Sequence, residues 1–129
     1  MKKSKKVEDI AFTWIELHSY EDETPEYKGR LWASEALNVL VYSDLRKVWE
    51  IVLKILELTD SELMLELVGT GPLEDMMCEN DELTLNLIRK EIGDNTRLRL
   101  SMKYARLDKS DTKLYIEFFK LAGVKPPFE

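Results

Sequence analysis

The one histidine and the one cysteine of this sequence are the side chains best suited to nucleophilic or metal chemistry. A Cys-His or Ser-His-Asp site needs a base held within hydrogen-bond reach of its nucleophile, and no motif links His18 to Cys78. A zinc site needs about four Cys, His or carboxylate ligands. We therefore interpret His18 as a residue near solvent at a helix end, and we expect no metal and no cofactor.

Carboxylates are numerous and form three groups along the chain. These are Glu21, Asp22, Glu23 and Glu26; then Glu57, Asp60, Glu62 and Glu66; then Glu74, Asp75, Glu79, Asp81 and Glu82. Paired carboxylates support glycoside hydrolysis and metal-assisted reactions. However, the sequence has no Glu-x-x-His pattern, and most of these acids stand at predicted helix starts or on polar faces. Helix capping and a solvated surface explain most of them.

Glu35 stands apart from the other acids because it lies close to the apolar stripe of its helix, three residues after Trp32 and one before Ala36. A buried carboxylate would need a partner. Structural ion pairs perturb carboxylates as catalytic sites do, so we favour a structural role. An enzyme using Glu35 would require it to converge with Glu74 or Asp75.

The segment Gly69-Thr70-Gly71-Pro72 resembles a phosphate loop only in its glycines. It lacks the following Gly-Lys-Ser/Thr, and the acids at positions 74 and 75 would repel an anion. We expect it to break the chain between two helices. The glycines would then give backbone freedom for a tight turn, and Pro72 would take the first position of the next helix.

Apolar residues recur at helical spacing along most of the chain, which predicts an all-α fold. The first predicted helix runs from Val7 to Leu17, the second starts at Pro25 with Thr24 as its cap and continues to Leu40, and the third is capped by Ser43 or Asp44. A Thr59–Glu62 capping box opens the fourth, and a short helix starts at Pro72. The next helix is capped by Asn80 or Asp81 and stops at Gly93, and the last runs from near Ser110 to Gly123. Leu98 to Met102 also allows a short strand. About seven short amphipathic helices with short connections indicate a compact antiparallel array, and an irregular α-solenoid stays open.

The length of 129 residues suits one domain. We expect a basic tail over residues 1–6, a single helical domain over 7–123 and an extended tail over 124–129 that contains Pro126 and Pro127. The net charge of -6 hides four lysines within the first six residues, so that 15 basic and 25 acidic residues remain from Val7 onward. So acidic a body disfavours nucleic-acid binding.

Cysteine usage and hydropathy bear on the cellular compartment. A single cysteine excludes an internal disulfide and fits a reducing compartment. No apolar stretch approaches the roughly 20 residues that span a bilayer, and the N-terminal lysines do not precede an apolar signal region. We expect a cytoplasmic protein that does not bind membranes.

Three stretches together form a recognisable series: Trp32-x-x-Glu35-x-Leu37, Asp44 through Trp49, and Gly71-Pro72-Leu73-Glu74-Asp75-Met76. From about Ile10 to about Leu107 the chain resembles a family of small bacterial proteins of unknown function. That family carries a Trp-x-x-Glu helix and a Gly-Pro-Leu-Glu-Asp-Leu-Leu signature. Met76 and Met77 replace the leucines here and conserve apolar volume. The resemblance implies no catalytic residue, while its members' size and acidity are similar to those of immunity and antitoxin proteins.

We expect a non-catalytic protein-binding module, in the first place an immunity-like inhibitor of a basic toxin enzyme. The candidate contact residues are Tyr20, Glu21, Asp22, Glu23, Glu26, Tyr27, Glu74, Asp75, Glu79, Asp81 and Glu82. The alternative is a regulatory or scaffold protein that binds its partner through helix faces, and this protein could be a homodimer. A large exposed apolar patch would favour that alternative. A carboxylate-dependent enzyme is the third hypothesis.

Overall fold

The computed structural model describes residues 6–107 and 112–124, and the regular structure within these ranges is helical. The elements are α1 Val7–Leu17, α2 Pro25–Lys28, α3 Leu31–Ser43, α4 Leu45–Leu58, α5 Glu62–Val68, a π-turn Gly69–Leu73, α6 Glu74–Glu79, α7 Asp81–Glu91, a 3₁₀-turn Ile92–Asp94, α8 Thr96–Met102 and α9 Thr112–Ala122. The predicted all-α array is confirmed. The strand considered over Leu98 to Met102 is part of α8. Pro126, Pro127 and nearly all of the predicted basic tail lie outside the described residues.

The chain divides into two compact units, of which unit 1 ends at Thr59 and unit 2 begins at Asp60. Unit 1 contains α1 to α4, and unit 2 contains α5 to α9. The single domain over residues 7–123 stays a prediction.

Unit 1 is built on α4, whose apolar surface is broad enough to contact both α1 and α3. α1 and α3 also pack against each other. The buried side chains are Ile10, Ala11, Trp14 and Leu17 from α1; Ala33, Leu37 and Val41 from α3; and Val48, Trp49, Ile51, Val52, Ile55 and Leu56 from α4. The wide stripe of α4 therefore predicted its central position correctly.

The segment from Pro25 to Ser43 forms two helices, so the prediction of one continuous helix is wrong. The first part was foreseen correctly, because Thr24 caps α2 and Pro25 occupies its first position. Glycine is a poor helix former, and Gly29 follows α2 directly. At Arg30 the backbone (φ -111, ψ -2) departs from helical values before α3 begins.

In unit 2, α5 packs on α8, α6 packs on α7, and α9 contacts both α7 and α8. The core consists of aliphatic, methionine and aromatic side chains from the five helices, the π-turn, the 3₁₀-turn and the residues that follow α8. Its members are Met64, Leu65, Val68, Leu73, Met76, Met77, Leu85, Ile88, Ile92, Leu98, Met102, Ala105, Leu107, Tyr115, Phe118, Phe119 and Ala122. Met76 and Met77 are fully buried, which agrees with reading them as volume-conserving core residues.

The connection between α5 and α6 corrects the predicted chain break at Gly69–Pro72. Helical backbone continues through a π-turn, with the buried Pro72 inside it rather than at a helix start. Proline has no N–H, and its ring crowds the carbonyl four residues earlier in an α-helix. The wider π-turn accommodates Pro72 without ending the helix.

Gly69 allows a close helix contact rather than a turn. A Cβ on this residue would overlap the carbonyl oxygen of Ser101 and lie 3.2 Å from the Cβ of Tyr104. Its φ of -65 is ordinary helical backbone, so the predicted need for conformational freedom is wrong. The glycine is required because α8 packs directly against the backbone here.

The helix caps show how far local signals reach. Asp44 accepts the N–H of Lys47 and Asn80 accepts the N–H of Leu83, so each predicted cap pair contains the observed cap. α5 is capped by Ser61, which accepts the N–H of Met64, and the Thr59–Glu62 capping box is therefore wrong. The last helix ends before Gly123, whose φ of +77 suits glycine.

Candidate functional site

The first predicted contact group lies on a single segment of unit 1, between α1 and α3. We call Tyr20–Tyr27 the acidic segment; the carboxylates of Glu21, Asp22, Glu23 and Glu26 are all exposed on it. Tyr20 is 40% exposed at its start, and Tyr27 is half-buried at its end. The structure therefore brings the six predicted residues of this group together.

Thr24 fixes the turn of the acidic segment. Its hydroxyl donates to the carbonyl of Glu21 at 2.8 Å and accepts the N–H of Tyr27 at 3.2 Å. Between them Glu23 adopts a φ of 71, which non-glycine residues adopt rarely. One threonine side chain thus closes the turn on one side and caps α2 on the other, which restricts the directions of the neighbouring carboxylates.

Arg30 connects the acidic segment to α1. Its Nη1 donates to the carbonyl of Glu26 at 3.0 Å, and its Nε lies 3.6 Å from Oε1 of Glu16. The guanidinium carbon also lies 4.8 Å from the centroid of the Tyr20 ring. A planar guanidinium makes such a combination of hydrogen bond, ion pair and ring contact readily. Both ends of the segment are therefore held by one side chain.

The charge of the acidic segment is largely uncompensated within the described part of the chain. Lys28 lies 3.5 Å from Glu23, in an ion pair whose side chains are both mostly exposed. No ion pair among the described residues engages Glu21, Asp22 or Glu26. The ion pair of Arg30 is with Glu16 and not with any of these three carboxylates.

His18 lies directly before the acidic segment and contacts the core of unit 1. Its ring centroid is 4.4 Å from that of Trp14, in an edge-to-face arrangement. Burial lowers the pKa of His18 below its ordinary value of 6.5, while the negative charge of Asp22 acts in the opposite direction. The predicted position at a helix end is confirmed, since His18 is the C-cap of α1.

The second predicted group lies in unit 2 and is divided among different environments. Glu74 is half-buried and accepts the backbone N–H of Arg106. Burial raises its pKa, with Asp75 adding to the rise and the Arg106 N–H and charge opposing it. Asp75 lies at the surface, yet partial desolvation raises the pKa of its carboxyl as well.

Glu79, Asp81 and Glu82 surround the junction of α6 and α7, where Asn80 serves as N-cap. Asp81 and Glu82 stand in the first turn of α7, where the helix dipole favours negative charge. This structural role is sufficient to explain them. Within unit 2 the predicted group is therefore a set of acids at the two ends of α6 and at the start of α7.

A longer acidic stretch, not among the predicted groups, runs from Ile55 to Ile88 and holds nine carboxylates without a single Lys, Arg or His. One of these acids contacts a tyrosine, since the Tyr104 hydroxyl donates a hydrogen bond to Oε1 of Glu62 at 3.0 Å. This hydrogen bond raises the pKa of Tyr104, and Glu66 contributes to the rise through its charge. The absence of basic residues was the available signal, and grouping acids by spacing alone concealed it.

The other candidates for chemistry, Glu35 and Cys78, both lie at the surface. Glu35 lies exposed on α3, so it needs no buried partner, and Cys78 is exposed at the end of α6. The described residues contain no cluster of three or more His, Cys, Asp or Glu side chains placed to hold a metal ion. Within the same part of the chain, none of the helices has the length and apolarity required to cross a bilayer.

Comparison with known proteins gives no relative. No family model, no curated protein and no solved structure matches this chain. The resemblance to small bacterial proteins with a Gly-Pro-Leu-Glu-Asp signature therefore stays a prediction.

Proposed function

We propose that this protein is a non-catalytic, cytoplasmic binding module that captures a basic protein through the acidic segment of unit 1. The partner we favour is a basic toxin enzyme, which the module would inhibit as immunity proteins do. The observation that carries the proposal is the exposure of Glu21, Asp22 and Glu26 without an ion pair among the described residues, on a turn held by Thr24 and Arg30.

Preorganisation is what distinguishes this segment from an ordinary solvated acidic surface. A segment already held in one conformation loses less entropy when a partner binds, so more of the interaction energy appears as affinity. Tyr20 and Tyr27 flank the carboxylates and offer apolar contact area at low entropic cost. A basic partner would pair with the carboxylates and cover these rings.

The charge of the whole chain supports the same partner class. An excess of negative charge raises the encounter rate with a basic protein and disfavours nucleic acid. The acidic stretch from Ile55 to Ile88, most of which belongs to unit 2, adds negative charge and includes the predicted contact residues Glu74, Asp75, Glu79, Asp81 and Glu82. Their helix-terminus and hydrogen-bonding roles make them a secondary contribution.

Affinity capture from the native cytoplasm tests the proposal. We expect a basic protein to be retained in about 10 mM salt, where the Debye length is about 30 Å, and released in about 1 M salt, where it is about 3 Å. The triple variant Glu21→Gln/Asp22→Asn/Glu26→Gln should lose that protein. The matched control Glu8→Gln/Asp9→Asn/Glu50→Gln changes the net charge equally at exposed positions of unit 1 and should retain it.

Inhibition of a toxin requires a further assay. Co-expression of this chain should protect cells from the captured protein, and the triple variant should protect them less than the control variant. Capture without protection would leave a binding module and remove the toxin-inhibitor role. Equal capture by both variants would remove the acidic segment as the contact surface.

A regulatory or scaffold protein is the second candidate function, and two exposed residues of α3 favour it. Val39 is 66% exposed and Tyr42 is 78% exposed on this helix. Exposed apolar residues grouped on one helix face are typical of an interaction surface. The third hypothesis, an enzyme that uses Glu35, has no such support, since the Glu35 carboxylate is exposed on α3.

A further inference from the structure

α3 differs in composition from the rest of the chain. Over the thirteen residues Leu31–Ser43 it carries one charged side chain, Glu35, whereas 34% of all residues are charged. A helix with a single contact face normally has charged residues on its opposite side. The low charge of α3 therefore indicates that more than one of its faces makes contacts.

One face of α3 is accounted for by unit 1, because Ala33, Leu37 and Val41 are buried at spacings of four residues. The opposite face is exposed and carries Glu35, Val39 and Tyr42, which recur at i, i+4 and i+7. We call these three residues the outer face of α3. No hydrogen bond or ion pair among the described residues engages the Glu35 carboxylate or the Tyr42 hydroxyl.

We propose that the outer face of α3 is a dimerisation surface that binds the same face of a second copy, with the two helices antiparallel about a two-fold axis. With the axis between Asn38 and Val39, position 35 of one copy lies opposite position 42 of the other. The Tyr42 hydroxyl then donates to the Glu35 carboxylate of the second copy, and the symmetry makes this bond twice. The Val39 side chains meet near the axis.

Self-complementarity is the reason to assign a second copy rather than a different protein. A two-fold interface uses the same patch on both subunits, so each group must find its partner within that patch. Burial of the Glu35 carboxylate without a hydrogen bond would cost free energy, and the Tyr42 hydroxyl of the second copy supplies that hydrogen bond. The outer face of α3 offers no cluster of charge by which a partner of opposite sign would be selected.

The proposed interface is small, since the outer face of each copy spans about two helical turns. Interfaces below about 1,200 Å² belong to weak and transient associations. We therefore expect a dissociation constant in the micromolar range. This inference does not rest on capture of a basic protein, because the acidic segment and the outer face of α3 share no residue.

Sedimentation velocity across about 1 µM to about 1 mM protein tests the inference. We expect a monomer–dimer equilibrium that Val39→Lys shifts to monomer at least tenfold, because two like charges meet at the axis. Tyr42→Phe should weaken the dimer several-fold. The control Leu63→Lys alters an equally accessible apolar residue of α5, 53% exposed, and should leave the equilibrium unchanged.

Cross-linking gives a second readout, because a disulfide traps a dimer even when its equilibrium population is small. In a Cys78→Ser background, oxidised V39C should form a disulfide-linked dimer, whereas F12C, which alters a residue of α1 that is 58% exposed, should not. A chain that stays monomeric up to 1 mM overturns the inference, as does a dimer that Val39→Lys and Leu63→Lys affect equally. Loss of a different bound protein in Val39→Lys, without any dimer, assigns the face to that partner and also overturns it.

Discussion

The guanidinium of Arg30 lies over the ring of Tyr20, with 4.8 Å between the Cζ atom and the ring centroid. The same side chain reaches the carboxylate of Glu16 and the backbone carbonyl of Glu26. Through these contacts a residue just before α3 determines the conformation of a segment that begins ten positions earlier in the sequence. The acidic segment is thus held by tertiary contacts as well as by its own turn.

Arg30→Lys should release the acidic segment although it preserves the charge. Lysine lacks the planar fork that serves the carbonyl, the carboxylate and the ring together, and the ring contact alone contributes about 0.5–1 kcal/mol at an exposed site. We expect faster amide hydrogen exchange over residues 20–27. Lys28→Ala removes only the exposed ion pair with Glu23 and should leave exchange nearly unchanged. Equal effects from both variants would show that Arg30 does not hold the segment.

Gly69→Ala should destabilise the protein and Gly71→Ala should not, although the two positions lie two residues apart in one π-turn. A Cβ at position 69 overlaps the Ser101 carbonyl, so we expect a loss of about 3 kcal/mol or more in the free energy of unfolding. A Cβ at position 71 meets no atom within 4 Å, and alanine should be neutral or stabilising by up to about 1 kcal/mol. Urea titrations followed by circular dichroism compare them. Similar values for both would contradict the close contact between α8 and this turn.

These glycines show where prediction from sequence ended. The caps at Thr24, Asp44 and Asn80 were predictable because each depends on residues within one turn. The need for glycine at position 69 depends on what packs against it, namely residues near position 101, and no local pattern reveals such a partner. Gly-x-Gly-Pro therefore suggested a chain break where the structure has continuous helical backbone.

Protonation of His18 should destabilise unit 1. Its folded-state pKa lies below the ordinary 6.5, so between the two values the unfolded chain binds more protons. The stability contributed by neutral His18 is thus complete above pH 6.5 and is lost as the pH falls through the lowered pKa. All three tryptophans precede Thr59, so tryptophan fluorescence reports on unit 1.

The measurement is urea unfolding by tryptophan fluorescence at pH 7.5 and at pH 5. The wild type should lose more stability between these values than His18→Gln, which cannot titrate. Glu74 and Asp75 have raised pKa values, so their contribution to the free energy of unfolding increases as the pH falls, opposite to that of His18. Both residues belong to unit 2. An identical pH dependence for wild type and variant would contradict the burial of His18 against Trp14.

Glu62→Gln should lower the pKa of Tyr104 towards its ordinary value near 10. The carboxylate accepts the phenol proton in a hydrogen bond and repels the phenolate, and both effects raise the pKa in the wild type. Ultraviolet absorbance titration detects the phenolate, and Tyr104→Phe identifies its contribution. Glu79→Gln is the control, since that acid is exposed at the end of α6. A titration unchanged by Glu62→Gln would show that the two side chains are not bonded in solution.

The candidate site was predicted unevenly, for physical reasons. The acidic segment could be predicted because its residues are contiguous in the sequence, so they also lie close together at the surface. The second group was interpreted as one surface, yet Glu74 bonds Arg106 while Asp81 and Glu82 stabilise a helix start. The outer face of α3 was hidden because α3 is apolar around most of its circumference, and sequence periodicity does not tell a buried stripe from an exposed one.

The salt dependence of association tests the central claim most directly. With the captured basic partner, we would measure association and dissociation rates of the wild type, the triple variant Glu21→Gln/Asp22→Asn/Glu26→Gln and the control Glu8→Gln/Asp9→Asn/Glu50→Gln over a range of salt concentrations. We predict that the wild-type and control association rates fall steeply with salt, and that the triple variant has a lower rate and a shallower dependence. Equal slopes for the triple variant and the control would contradict the claim that the acidic segment binds the partner.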